Sequence, residues 1–180
     1  THIIESEHKA ALFNIGDYSQ SLILKKSDFD GLVKELSESN SFVFDLETNS
    51  LDYMNAEVVG LVFLLGMRSY YVPVGHDYLD APEQLSRQLV LDALKPILES
   101  SDIGKIGQNL KYDAHILANI NIDLCGIVDD TMVKSYCLNS VATRHNMDDL
   151  SEYYLGHKTI HYADVAGSGK KQLTFNQVNL

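Results

Sequence analysis

The stretch FVFDLETNSLD, residues 42–52, decides how this chain is read. Side chains two apart in a strand share a face, so Phe44 and Leu46 turn one way while Asp45 and Glu47 project together on the other. Two adjacent carboxylates repel unless one is protonated or a cation sits between them, and hard oxygen ligands of this kind suit Mg²⁺ or Mn²⁺. Thr48, Asn49 and Ser50 supply a turn that leaves both acids at the sheet edge, open to a substrate. Alone, Asp-x-Glu at the end of a strand reads equally well as a solvated strand end.

The composition frames the pair. With 180 residues and 45% apolar content, the chain can bury one sizeable core and is expected to form a single domain. Fourteen basic against 25 acidic residues give a net charge of −11, which argues against a broad basic surface for nucleic acid and leaves room for a narrow site that recruits cations. Cys125 and Cys137 are too few and too far apart for a disulfide framework and read as two reduced thiols of a cytosolic protein. The longest apolar run, VVGLVFLLGM at 58–67, is too short to cross a membrane, and the glutamate-rich start lacks the basic segment of a secretory leader.

The first 18 residues show no clean period and read as a lead-in. SLILKK (21–26) follows as a strand and SDFDGLVKELSES (27–39) as a helix with Ser27 as its N-cap. Three strands come next, SFVFDLE, EVVGLVFLLG (57–66) and SYYVPVG (69–75), whose short links favour antiparallel neighbours. A helix is expected over APEQLSRQLVLDALKPILESS, with Pro82 near its start and apolar residues at Leu85, Leu89, Leu94, Ile97 and Leu98. GKIGQ (104–108) reads as a strand, NLKYDAHILANI (109–120) as a helix and GIVDD (126–130) as another strand. Helices are expected over TMVKSYCLNS and NMDDLSEYYLG, the latter ending at Gly156. The order predicts an α/β fold: a mixed sheet of three antiparallel strands followed by parallel ones, with helices on both faces.

KIGQNLKYDAHIL, residues 105–117, strengthens the reading of the acidic pair. Asn109 and Asp113 stand four apart on one helical face with Tyr112 beside them, while Leu110, Ala114 and Leu117 form a different stripe that can pack inward. Asp113 could face the Asp-x-Glu strand. Two-metal phosphoryl transfer needs three or four carboxylates from separate elements around ions ~3.5–4 Å apart, and Asp45, Glu47 and Asp113 would be three of them. A helix N-terminus also favours an aspartate on electrostatic grounds alone. Other features carry less: GSGKK (167–171) lacks the spacing of a phosphate-binding loop, His157 and His161 surround a helix end, and Asp129, Asp130, Asp148 and Asp149 read as helix caps.

FDLETNSLD, VPVGHDYLDAP, ALKPILE, GQNLKYD, DTMVKSYCLNSVATRHNMDDL and LTFNQ, in this order and spacing, resemble the 3′→5′ proofreading exonuclease domain of bacterial DNA polymerases I. The likeness runs from about residue 42 to 180, with residues 1–40 a lead-in strand and helix joined to the domain. It implies a ribonuclease H-like fold of the type with four acidic residues and a tyrosine, cytoplasmic and bacterial, removing mismatched nucleotides from a DNA 3′ end with two divalent ions, Mg²⁺ or Mn²⁺. By the resemblance, Asp45 bridges both metals, Glu47 lies on the metal that binds the attacking water and Asp113 reaches the other. Thr48 and Leu51 match positions around the terminal nucleotide, Leu51 as an apolar wedge beside the last base. Gln108, Asn109, Tyr112, Met132 and Arg144 match residues along the single-stranded DNA path, and Tyr162 stands where the family has a phenylalanine packed against a base. The implied partners are a single-stranded DNA 3′ end and the polymerase domain of a longer chain.

One departure matters. The family's third motif, Y-x-x-x-D, follows LTFNQ, and these 180 residues contain none: Tyr153 and Tyr154 have no aspartate four residues on. The chain is therefore expected to be a fragment with little or no nuclease activity in isolation, since one metal would lack a ligand and the attacking water its orienting hydroxyl. Two alternatives stand beside the main reading: a related exonuclease acting on RNA ends, and a DNA-binding scaffold without catalysis. Retention of Asp45, Glu47 and Asp113 argues against the scaffold.

Overall fold

A computed structural model describes residues 18–180, and residues 1–17 of the expected lead-in lie outside them. Six strands form one mixed sheet in the order β1-β4-β3-β2-β5-β6: β1 (Ser19–Leu22), β2 (Ser41–Thr48), β3 (Val58–Leu65), β4 (Arg68–Pro73), β5 (Gly104–Gly107) and β6 (Ile127–Asp130). β2, β3 and β4 are antiparallel neighbours, as their short links require, and β5 and β6 continue parallel to β2. The lead-in strand is part of the same sheet, since β1 pairs parallel with the outer edge of β4. Among the described residues no helix is long and apolar enough to cross a membrane.

The core follows from the alternation in β2. Phe42, Phe44 and Leu46 are buried and gather with Phe63 of β3, with Phe29, Leu32 and Leu36 of α1 (Lys26–Glu38), and with Val90, Leu94, Ile97 and Leu98 of α2 (Arg87–Leu98). The Phe63 ring lies 5.8 Å from that of Phe42 and 5.6 Å from that of Phe44, within the range of favourable aromatic pairs. Two helix starts differ from expectation. α1 begins one residue before Ser27, with Lys25 at the N-cap and the Phe29 amide already donating to the Lys25 carbonyl. Ser27 donates to Asp28 instead of capping. α2 begins at Arg87, not near Pro82, because Gln84 is taken by the loop before it: its side chain accepts from the His76 amide (2.9 Å) and donates to the His76 carbonyl (2.7 Å), holding the preceding residues out of a helix.

The C-terminal third is built of short pieces: α3 (Leu110–Asn119), α4 (Thr131–Leu138), α5 (Met147–Leu150) running into a π-helical turn over Ser151–Leu155, α6 (Tyr162–Ala166), and 3-10 turns at Gly169–Lys171 and Phe175–Gln177. The helix expected over NMDDLSEYYLG thus changes pitch midway, and Gly156 ends it in the left-handed conformation, φ 64°. Of the four acids read as caps, Asp130 caps two helices at once. Its Oδ1 accepts from the amides of Met132 (2.9 Å) and Val133 (3.2 Å) at the start of α4 and from Asn109 (3.1 Å), while Oδ2 takes the Leu110 amide (2.8 Å) at the start of α3. The others do not cap as expected: Asn146 caps α5, Asp129 pairs with Lys134, Asp148 with Thr159 and His161, and Asp149 accepts from the Arg144 amide. Asp130→Ala is expected to destabilise the protein by about 2 kcal/mol, the loss of two ordinary caps, as a lower midpoint in urea; Asp130→Asn should lose about half as much.

Candidate active site

Asp45 and Glu47 lie on one face of β2, as the period of two requires, and both are half-buried. Across the sheet Asp45 pairs with Val62 and Glu47 with Gly60 on β3. The parallel pairing of β2 with β5 is confined to residues 41–43, and past that point the strands part. Gly107 keeps the end of β5 close against β2 there, since a Cβ would stand 2.7 Å from the Phe44 carbonyl and 2.5 Å from the Leu110 side chain that opens α3. Asn109 then turns the chain into α3 in the left-handed region, φ 60°, which asparagine tolerates better than most residues. The first turn of α3 brings Asp113 to β2, where its Oδ1 accepts the Leu46 amide at 3.1 Å. The third carboxylate therefore rests on the backbone between the first two.

The sequence misjudged how Asp113 gets there. It is only 2% exposed and lies on the same buried face of α3 as Leu110, Ile116 and Leu117, not on a separate one. The hydrogen bond from β2 satisfies one of its oxygens, and the charges around it set its proton affinity. Burial pushes the Asp113 carboxyl up to about 8, with the Asp45 and Glu47 charges acting in the same direction and the Leu46 amide against them. Glu47 is pushed up to about 7, first by burial and then by Asp45. Burial raises Asp45 to about 6, partly offset by the Leu46 amide. Among the described residues no three His, Cys, Asp or Glu side chains already close around a point as metal ligands. The chemistry of the donor set nonetheless fits a hard divalent cation: three carboxylates from two elements whose mutual repulsion and burial hold protons that a cation would displace.

The remaining predicted residues fall into two groups and two single positions. Thr48, Leu51 and Tyr112 surround the β2–β3 turn. The Thr48 and Tyr112 hydroxyls are 2.7 Å apart and both reach the Ser50 carbonyl, at 3.0 and 2.5 Å, which pins the turn to α3. Leu51, beyond it, is 93% exposed. Gln108, Asn109 and Met132 sit where β5 and β6 give way to α3 and α4. Gln108 donates to the His145 carbonyl (2.8 Å) and accepts from Thr131, while the Asn109 and Met132 amides are held by Asp130. Arg144 is exposed on the loop before α5, with its amide bound to Asp149. Tyr162 opens α6. Its ring stacks on Phe175 at 6.3 Å, its hydroxyl donates to the Leu173 carbonyl, and its proton is held more tightly through burial and then the Glu47 charge.

Three residues near the site carried no signal of their own. Tyr71 of β4 shares a cross-strand row with Asp45 through Val62, and its ring leans over Gly60, where an added Cβ would stand 2.1 Å from the Tyr71 hydroxyl oxygen. His76 bonds that hydroxyl. Both lie in or beside the string VPVGHDYLDAP, which was distinctive as a string but assigned no role.

Asp45 and Glu47 on β2 and Asp113 on α3, which follows β5, thus bring three carboxylates together beside a six-stranded mixed sheet. A family model described as 3′-5′ exonuclease matches residues 20–179, and the chain belongs to this family, whose members include a domain of DNA polymerase I. Over 160 residues it is 48% identical to DNA polymerase I of Pseudomonas aeruginosa, covering 87% of this chain and 18% of that protein. It is 38% identical over 169 residues to DNA polymerase I of Rhizobium leguminosarum, covering 84% and 16%. The chain thus spans less than a fifth of these relatives. Among solved structures, Trypanosoma brucei RNase D in complex with RNA U12 superposes with a TM-score of 0.64 at 15% identity, over 81% of this chain and 50% of that one. The EXO domain of Aedes aegypti Nibbler gives 0.61 at 16% identity, over 88% and 78%. At such identities the superpositions speak to fold.

Proposed function

We propose that this domain removes nucleotides from the 3′ end of single-stranded DNA by two-metal hydrolysis, as the proofreading exonuclease of a DNA polymerase I in the bacterial cytoplasm. Residues 41–180 form the exonuclease domain in this reading, with β1 and α1 leading into it, and a polymerase domain is its partner. The observation that carries the reading is the seating of Asp113 on the Leu46 amide between Asp45 and Glu47, on a chain whose relatives at 30–48% identity are polymerases I.

Asp45, Glu47 and Asp113 would hold the divalent ions, Mg²⁺ or Mn²⁺. Such ions activate water at neutral pH and neutralise charge on the leaving oxygen. The chain's own residues orient the strand. Thr48 and Tyr112 fix the turn that presents Leu51 as a wedge against the last base, and Tyr162 offers a ring for stacking. Gln108, Asn109, Met132 and Arg144 border the path upstream. A few stacking and phosphate contacts are enough to hold a frayed end, so the net charge of −11 is no obstacle.

The test uses 5′-labelled single-stranded DNA and RNA of matched sequence, with the protein in its native flanking sequence and Mg²⁺ supplied. A ladder shortening from the 3′ end of DNA, absent with a chelator, is the expected result. Faster trimming of RNA would favour an exoribonuclease, and digestion of neither would leave a DNA-binding scaffold.

A further inference from the structure

We propose that Tyr71 and His76 are positioning residues of the exonuclease site, holding the Phe175–Val178 segment against the carboxylate-bearing strand β2. The inference rests on the function proposed above and adds two residues to it. The Val178 carbonyl can only accept, so the His76 Nδ1 that lies 3.0 Å from it carries the proton. Neutral imidazole then has a bare Nε2, which accepts from the Tyr71 hydroxyl at 2.6 Å. The chain of bonds therefore runs one way, from Tyr71 through His76 to Val178.

Both ends of this chain are anchored. At the sheet, Gly60 lies opposite Glu47, and the absence of a side chain there is what admits the Tyr71 ring. Tyr71 lies on the Asp45 and Glu47 face of the sheet through its pairing with Val62, and burial and then the Glu47 charge raise the pKa of both Tyr71 and Tyr162. At the other end, the loop after β4 is laced to the segment. The Asp77 amide donates to the Asn176 carbonyl (2.9 Å), the Asn176 side chain donates to the Asp77 carboxylate (2.8 Å), and Phe175 packs on the His76 ring at 5.7 Å. Phe175 in turn stacks on Tyr162, and the Phe175–Gln177 turn packs against β2. Gln84 clamps both backbone groups of His76, so the imidazole is aimed from a fixed base. A histidine with both nitrogens engaged and 7% exposure is well placed to transmit position from the sheet to the segment.

The experiment compares Tyr71→Phe, His76→Ala and His76→Gln in the protein with its native flanking sequence, with Asp45→Ala as control. It reads exonuclease kcat and KM per folded molecule and hydrogen exchange of the Asp77 amide without metal. His76→Ala should lower kcat at least about tenfold with little change in KM, as loss of a supporting partner behind an active site does, and should speed Asp77 exchange. Tyr71→Phe keeps the ring over Gly60 and should lower kcat in the same way. Glutamine can donate to Val178 and accept from Tyr71, so His76→Gln should recover most of both signals. A purely structural role would lower the melting temperature and leave kcat per folded molecule unchanged, which overturns the proposal, as does failure of glutamine to rescue. Should the unaltered protein not digest DNA, the functional reading falls first. Digestion abolished in Asp45→Ala but intact in His76→Ala and Tyr71→Phe would sink the positioning role alone.

Discussion

Asp45→Ala, made in the protein with its native flanking sequence, should lower Mg²⁺-dependent removal of 3′ nucleotides from single-stranded DNA by about a hundredfold or more. Residues that merely support metal ligands cost about 10–100-fold when mutated, and a ligand itself belongs at or beyond the upper end. Among the three acids, Asp45 is the one whose charge acts on both others: it raises Asp113 and Glu47 alike. Removing it therefore takes away the charge that both of the others feel. Asp45→Asn should be nearly as damaging despite its similar shape, because the neutral amide supplies no charge to a cation. Melting temperatures of both variants should be equal to or above that of the unaltered protein in the absence of metal, since a repulsive buried charge has gone. Digestion by Asp45→Ala within tenfold of the unaltered rate would show that the carboxylate group is not the catalytic centre.

The second large effect is a pH-dependent stability that metal should reverse. Asp113 holds its proton to about pH 8 in the fold, against an ordinary aspartate value near 3.8 in an unfolded chain. The folded state thus binds the proton more tightly, and its stabilising contribution is complete below the ordinary value and lost as pH rises through about 8. Glu47, raised to about 7, acts in the same direction over a narrower range. Each pH unit over which only the unfolded chain is ionised costs about 1.4 kcal/mol, and a domain of this size loses about 2–4 °C per kcal/mol. The metal-free protein should therefore melt at least about 5 °C lower at pH 8 than at pH 5. Millimolar Mg²⁺ should restore most of the difference at pH 8 and little at pH 5, where protons occupy the site. Asp113→Asn keeps an acceptor for the Leu46 amide and cannot ionise, so it should flatten the pH profile and weaken the response to Mg²⁺. A metal-free melting temperature that rises from pH 5 to pH 8 would contradict the burial of these acids.

Strand periodicity was enough to put Asp45 and Glu47 on one face, because that alternation depends only on local backbone geometry and recurs with Phe42, Phe44 and Leu46 buried opposite. Short links likewise dictated the antiparallel order of β2, β3 and β4. The sequence was blind to partners that an element's own period does not specify. Asp113 could not be read as buried, because a hydrophobic stripe cannot include a carboxylate until the Leu46 amide appears beside it. The late start of α2 depends on Gln84 finding His76, and the loss of Ser27 as a cap depends on Lys25 adopting the capping backbone. Tyr71 was invisible as a neighbour of the site for the same reason: its position over Gly60 arises from the β3–β4 register. The roles carried by resemblance therefore have a geometry for Thr48, Tyr112 and Asp113, whereas Arg144 is placed only by the loop on which it stands.

Asp130 makes the two helices behind the site a single mechanical unit. One side chain gathers the leading amides of α3, which carries Asp113, and of α4, which carries Met132. Oδ1 is shared by the Asn109 amide before α3 and the Met132 and Val133 amides of α4, and Oδ2 holds the Leu110 amide, so both helix starts hang on the same carboxylate. Fluctuations that would loosen Asp113 must therefore be shared with the start of α4, so a pull on Met132 would be felt at the carboxylates as a change in tension rather than as a change in contact.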